Sequence, residues 1–203
     1  WRLDGIRQAT AARWVAISPI EQFAASQGFY YSLDWGSLLI PTRGQIFKKA
    51  NFSRSDINNH VIGLRNDKYL VQLYTYSRQP RGEGGKFYVV AQTNVPREYG
   101  EIFVRRRGKF FNPPVPGLRK ISMEWGSFNS KYDVFASSTE GATSFELLHP
   151  VYMEQLERLP FEVNIEVVDN IVYLYGSGIK TISTEHYHAM LALLDEAYKQ
   201  MKL

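Results

Sequence analysis

Tyr69-Leu70-Val71-Gln72-Leu73-Tyr74-Thr75-Tyr76 and Lys86-Phe87-Tyr88-Val89-Val90-Ala91-Gln92 are two β-rich runs separated by Gln79-Pro80-Arg81-Gly82-Glu83-Gly84-Gly85. Valine and aromatic side chains suit a pleated, half-buried surface, and the Gly/Pro connector punctuates it. The pair is predicted to be a long antiparallel hairpin. Outward from it, Phe29–Leu33 and Ile57–Leu64 read as further strands upstream, and Glu101–Arg106, Lys120–Trp125 and Tyr132–Ala136 as strands downstream. Phe161–Val168 and Ile171–Tyr175 are expected to form a tight hairpin across Asp169-Asn170, residue types that tolerate positive φ. The class this predicts is α+β with a mainly antiparallel sheet.

Helices frame these strands. Ser18-Pro19 supplies a cap and a first-turn proline, Glu21 completes a Ser-x-x-Glu box, and Gly28 can take the left-handed stop. A helix over 18–27 should turn Ile20, Phe23 and Ala24 inward. A broken helix is predicted near 139–159, starting at Ser138 or Thr139 and interrupted at His149-Pro150. Thr184–Met201 closes the chain, with Tyr187, Leu191, Leu194 and Tyr198 on one stripe. In domain terms, 1–17 reads as a juxtamembrane or linker helix. A basic β-rich half follows at 18–111, and an acidic half at 118–203 in which a strand-strand-helix pattern is given twice. The Pro-rich 112–117 joins the halves into one compact unit.

The chain has 203 residues, 44% of them hydrophobic, with 12 Phe, 13 Tyr and 4 Trp, a composition that excludes disorder. Zero cysteines exclude disulfides, thiolate catalysis and zinc–thiolate sites. The formal charge of +4 hides an asymmetry: residues 1–110 hold 17 Lys+Arg against 8 Asp+Glu, while residues 111–203 hold 7 against 12. Such a dipole lets the basic half face phosphates, lipid headgroups or an acidic partner. Its sharpest feature is Arg105-Arg106-Arg107-Gly108-Lys109, which with Lys48 and Lys49 forms the candidate binding set for anionic lipid or an acidic partner. Neither a helix-turn-helix pattern nor an RNA-binding sheet motif accompanies it, which disfavours nucleic acid.

Catalytic signatures are weak. Gly82–Phe87 carries only a fragment of a phosphate loop, with Pro80 at the first required glycine and Phe87 at the hydroxyl position. A Gly-x-Ser-x-Gly elbow does not occur. His186 and His188 lie two apart, about 200° around a helix, and cannot chelate one ion from it. Glu146-x-x-His149 lacks the second copy a di-iron site needs, and His60 stands alone. These residues assign no catalytic group, metal or cofactor, so the reading leans away from an enzyme. The alternative is a small-molecule sensor or enzyme with an aromatic cleft between the halves, gathering Tyr74, Tyr76, Tyr88 and Trp125. A short internal echo, Asp34-Trp35-Gly36-Ser37 against Glu124-Trp125-Gly126-Ser127, hints at duplication or at a shared strand-to-turn ending.

The opening Trp1-Arg2-Leu3-Asp4-Gly5-Ile6-Arg7 with Arg13-Trp14 interleaves arginine and tryptophan as the water-facing edge of a membrane anchor does. Phe23-Ala24, Gly28-Phe29-Tyr30-Tyr31, Asn59-His60-Val61-Ile62-Gly63, Phe128-Asn129-Ser130-Lys131-Tyr132-Asp133-Val134, Leu147-Leu148-His149-Pro150-Val151-Tyr152-Met153-Glu154 and Val172-Tyr173-Leu174-Tyr175 follow one another in an order that resembles a group of bacterial proteins of unknown function, common in actinobacteria. The resemblance covers most of residues 20–200. It implies a short transmembrane segment ahead of the soluble domain, and the arginines favour the cytoplasmic side. It implies no catalytic role for any residue. The expected function is a membrane-tethered, non-enzymatic binding or scaffold module with its basic half toward the headgroups.

Overall fold

The computed structural model describes residues 18–33, 35–48, 52–78, 86–108, 113–137, 146–179 and 181–201. Among these residues seven strands form one antiparallel sheet: β1 (Tyr30–Ser32), β2 (Ile57–Arg65), β3 (Tyr69–Arg78), β4 (Lys86–Arg106), β5 (Arg119–Ile121), β6 (Tyr132–Ala136) and β7 (Glu162–Ile179). The predicted long hairpin is β3 and β4, with Tyr74 opposite Val90 and Tyr76 opposite Tyr88. β4 is the spine. Along one edge it pairs with β7 from Phe87 to Val104, and its other edge is taken first by β3 and then by β6. Strands from both charge halves therefore share one sheet.

Among the described residues four α-helices cover one face: α1 (Pro19–Ser26), α2 (Gly126–Lys131), α3 (Pro150–Arg158) and α4 (Thr184–Gln200). α1 forms as its caps predict. The Ser18 hydroxyl accepts from the Ile20 N–H, Gly28 takes φ +70°, and Ile20, Phe23 and Ala24 are buried. On α4, Tyr187, Leu191 and Leu194 are buried, while Tyr198 stacks on Tyr69 with ring centroids 3.8 Å apart. Alternate strand residues such as Val71, Leu73, Val104, Val134, Ile165 and Leu174 complete this core.

The second face is aromatic. Tyr74, Tyr76, Tyr173, Tyr175, Phe103 and Phe135 project from the strands and are covered by irregular chain rather than by helices. That cover consists of 3-10 turns at Trp35–Leu39, Gln45–Phe47 and Arg54–Asp56, with Ile40, Ile46 and Phe47 buried beneath. Residues 113–118 add a strap that buries Val115, so this proline-rich stretch packs on the sheet as well as joining the halves. With both faces covered, β3 buries every residue from Val71 to Tyr76, which is why it reads as a nearly continuous apolar run.

Several expectations change. The hairpin predicted at Asp169-Asn170 is absent, because β7 runs unbroken through both residues. Asp169 does take positive φ, 55°, but within the strand, paired with Tyr99 where extra residues on β4 bulge and the register shifts. Among the described residues the acidic half thus alternates strand and helix: β5, α2, β6, α3, the long β7 and α4. Glu101–Arg106 is the far end of β4, and the strand predicted at Lys120–Trp125 stops at Ile121 because Trp125 is the N-cap of α2. The echoed segments do end alike, in a 3-10 turn and a helix start, but on opposite faces. Residues 1–17 and the expected helix start at Ser138 or Thr139 lie outside the described residues.

Candidate functional site

Seven large hydrophobic side chains are exposed among the described residues, and six of them fall between residues 30 and 70: Tyr30, Leu33, Leu38, Leu39, Leu64 and Leu70, each between 41% and 80% exposed. Strand pairing explains how they come together. Tyr30 lies opposite Ile62 and Leu64 opposite Leu70, so these four residues share the second face at the β1–β2–β3 end. The turn Trp35–Leu39 is seated beside them. The Gln72 amide donates to the Leu39 carbonyl at 3.4 Å, His60 Nε2 and Gln72 Oε1 are 3.1 Å apart, and Gly36 lies so close to His60 that a Cβ there would come within 1.7 Å of Nδ1. The Arg54 guanidinium binds the Ser37 and Ile40 carbonyls. Leu38 and Leu39 are thereby held outward on a fixed turn, as part of an exposed apolar patch.

Beyond this apolar corner the cover is pinned from below. Both oxygens of Glu166 accept from the Gln45 N–H at 2.7 Å; the Tyr173 hydroxyl donates to the Pro41 carbonyl at 2.9 Å and accepts from the Arg43 N–H at 3.3 Å. Burial pushes the Glu166 carboxyl up to about 7 and the Tyr173 hydroxyl up to about 12. Two exposed cations belong to this cover, Lys48 and Arg43, the latter paired with Asp169 at 2.7 Å, whereas Lys68 lies toward α4 beside Asp195 and Glu196.

The predicted basic set divides. Strand alternation sends Arg105 and Arg106 to opposite faces. Arg106 lies over the Tyr132 ring on the helical face, 5.1 Å from its centroid, and its N–H donates to Asn164 Oδ1. Arg105 lies over Phe135 on the second face and donates to the Pro113 carbonyl at 2.8 Å. Arg107, just past the strand end, reaches back to Asp133 Oδ1 at 2.8 Å, where the Lys120 ammonium also arrives, at 2.7 Å. Lys49 and Lys109 lie outside the described residues, and Lys48 is exposed beside the pinned 41–47 segment. Sequence reading missed Asp133 and Lys120. The available signal was a lone carboxylate inside Tyr132–Ala136, a strand buried at all five positions. It missed the apolar corner as well, although Leu38 and Leu39 fall outside every predicted strand and helix.

The proposed aromatic gathering holds in part. Tyr76 and Tyr88 stack with centroids 6.0 Å apart beside Tyr74 on the second face, whereas Trp125 packs against the helical core. Trp125 instead lines a separate cleft of about 450 Å³ with Met123, Leu148, Pro150 and Met153. The histidines are dispersed. His60 is buried against Gln72, His149 and His186 cap helices, and His188 packs edge-on to Phe23. Among the described residues no helix is long and apolar enough to cross a membrane.

The fold is similar to the crystal structure of the mycobacterial trehalose monomycolate transport factor A, with a TM-score of 0.60, 11% identity, and coverage of 90% of this chain and 92% of that one. At that identity the likeness is one of fold. No protein-family model matches the sequence, and no curated protein matches it significantly.

Proposed function

We propose that this chain is a non-enzymatic module that works as a scaffold against a membrane surface, with the apolar corner seated in the headgroup region. The observation that carries the reading is the corner itself, where Leu38 and Leu39 are held outward on a turn anchored by His60, Gln72 and Arg54. Exposed aliphatic side chains, one tyrosine and exposed lysine and arginine fit a bilayer interface, where apolar groups enter the acyl boundary and cations stay among the phosphates. The net positive charge of residues 1–110 supports the same orientation. The resemblance described above, and the arginines and tryptophans of the opening run, support a tethered protein with this domain on the cytoplasmic side. A fold shared with a protein named as a transport factor suits an accessory role in transport at a membrane.

Flotation with vesicles tests this. The chain is expected to float with vesicles containing phosphatidylglycerol, and less with neutral phosphatidylcholine at physiological salt. The double variant Leu38→Ser/Leu39→Ser removes two exposed side chains whose partial burial in the interface is worth about 2 kcal/mol together, so its partition should fall roughly 30-fold. Both residues are exposed, so the melting temperature should hardly move. No flotation of the unaltered chain, or equal flotation of the double variant, overturns the proposal.

A further inference from the structure

Asp133 is 1% exposed, yet three cations close on its carboxylate: Lys120 Nζ at 2.7 Å, Arg107 Nη2 at 2.8 Å and Arg105 Nη2 at 3.6 Å. Burial alone would raise the Asp133 carboxyl, but hydrogen bonds from Lys120 and Arg107 outweigh it and hold the group below the usual carboxylate range. It is an anion at neutral pH. Among the described residues one negative charge therefore faces three positive ones, and two positive charges have no carboxylate paired with them at this point. A structural role needs only one of them, since a single guanidinium satisfies a buried carboxylate. Three like charges crowded together repel one another and raise the cost of the folded state, unless something outside the chain neutralises them.

The geometry shows where that something would sit. Arg107 and Lys120 both contact the same oxygen, Oδ1, so their head groups are near neighbours, and both are open to solvent, at 37% and 55% side-chain exposure. Arg107 uses Nε and Nη2 on Asp133, which leaves Nη1 directed elsewhere. Arg105 is steadied by the Pro113 carbonyl and the Phe135 ring, so the cluster is held before any ligand arrives. We infer that Arg105, Arg107 and Lys120, arranged around Asp133, form a binding site for a phosphate monoester. The charge matches: a monoester carries about −1.5 to −2 at pH 7, against these two positive charges, and its three oxygens suit a guanidinium fork beside an ammonium. A carboxylate would neutralise only one charge. Lys120 enters the site and Arg106, on the other face, leaves it.

This inference does not rest on the membrane reading, because the ligand is either a free phosphate ester or a phosphate-bearing lipid headgroup. Thermal unfolding and NMR titration of the whole chain with inorganic phosphate, against sodium chloride of matched ionic strength, read the shared chemistry. Phosphate is expected to raise the melting temperature by about 3 °C at ten times its dissociation constant, and chloride is not. In Arg107→Gln/Lys120→Gln the affinity should fall at least ten-fold. Asp133→Asn, which removes the internal anion, should bind phosphate more tightly than the unaltered chain. Vesicles with phosphatidic acid, compared with phosphatidylglycerol, separate the sources. A preference for phosphatidic acid that Arg107→Gln/Lys120→Gln abolishes and Leu38→Ser/Leu39→Ser reduces equally for both lipids assigns the headgroup; phosphate binding without that preference assigns a free ester. A phosphate response no greater than that to chloride, or one unchanged in the double variant, overturns the site. The comparison on the unaltered chain decides the matter even where a variant fails to fold.

Discussion

Gly36→Ala is expected to destabilise the protein by about 3 kcal/mol and, on the membrane proposal, to abolish flotation with vesicles together with it. A Cβ at Gly36 would lie 1.7, 2.3 and 2.6 Å from Nδ1, Cγ and Cβ of His60. The clash is with the base of a buried ring and not with the far end of a flexible side chain, and His60 is held in turn by Gln72. Overpacking a filled site costs about 1–3 kcal/mol, and here the top of that range applies because the turn must lift and the Gln72–Leu39 contact goes with it. Chemical denaturation measures the loss. A double-mutant cycle with His60→Ala separates the steric cause from any other, since removing the ring takes away the two closest contacts, at 1.7 and 2.3 Å, and leaves only the one with the His60 Cβ, at 2.6 Å. The double variant should be more stable than the sum of the two single losses by at least 1 kcal/mol. Additive losses would show that Gly36 acts through its backbone and not through His60.

The same pair of residues shows how far the sequence could be read. Gly36 sits in a loop with nothing local to mark it, and its partner is 24 positions away on β2, so their approach depends on which face of the sheet the loop crosses. Elements governed by neighbours in sequence were legible: the Ser18-Pro19 start and Gly28 stop of α1, the β3–β4 hairpin, and all five residues of β6. Elements governed by distant partners were not. Asp169 takes the positive φ its type allows, but positive φ serves a two-residue turn and a strand position opposite a bulge equally well. What selects the latter is the 21-residue β4, which continues to offer hydrogen bonds beyond Tyr99 and so draws β7 onward. The candidate sites obeyed the same rule. Arg105 and Arg107 were visible as charge, but their convergence with Lys120 on Asp133 requires the β4–β6 and β5–β6 registers to be known. Leu38 and Leu39 drew no reading from the sequence, because only the packing of their turn against His60 and Gln72 holds them outward.

Glu166→Gln is expected to change how stability depends on pH, and the direction follows from burial. Glu166 is 2% exposed, and desolvation pushes its carboxyl from an ordinary value of 4.5 up to about 7, against the downward pull of the Gln45 N–H and of Lys48. The folded chain thus holds this proton more tightly than the unfolded chain does. Its contribution to stability is fully present below about pH 4.5, declines as pH rises, and is gone above about pH 7, where the folded state must keep a buried carboxylate charged. A shift of that size corresponds to about 3 kcal/mol. Glutamine carries no charge at any of these pH values and keeps a carbonyl to accept from Gln45, so the variant should match the unaltered chain at pH 4.5 and exceed it by up to about 3 kcal/mol at pH 8. Denaturant unfolding at both pH values checks this, and equal differences at the two would rule out Glu166 as the titrating group. The consequence reaches the exposed surface proposed to meet the membrane, because Glu166 holds the segment that leads to Lys48. An ionised Glu166 grips the Gln45 N–H more strongly while costing the fold stability, so a rise in pH trades global stability for a tighter local hold on 41–47. The glutamine variant removes that exchange, and its hydrogen-exchange protection at Gln45 should be independent of pH between 5 and 8 once the intrinsic exchange rate is divided out.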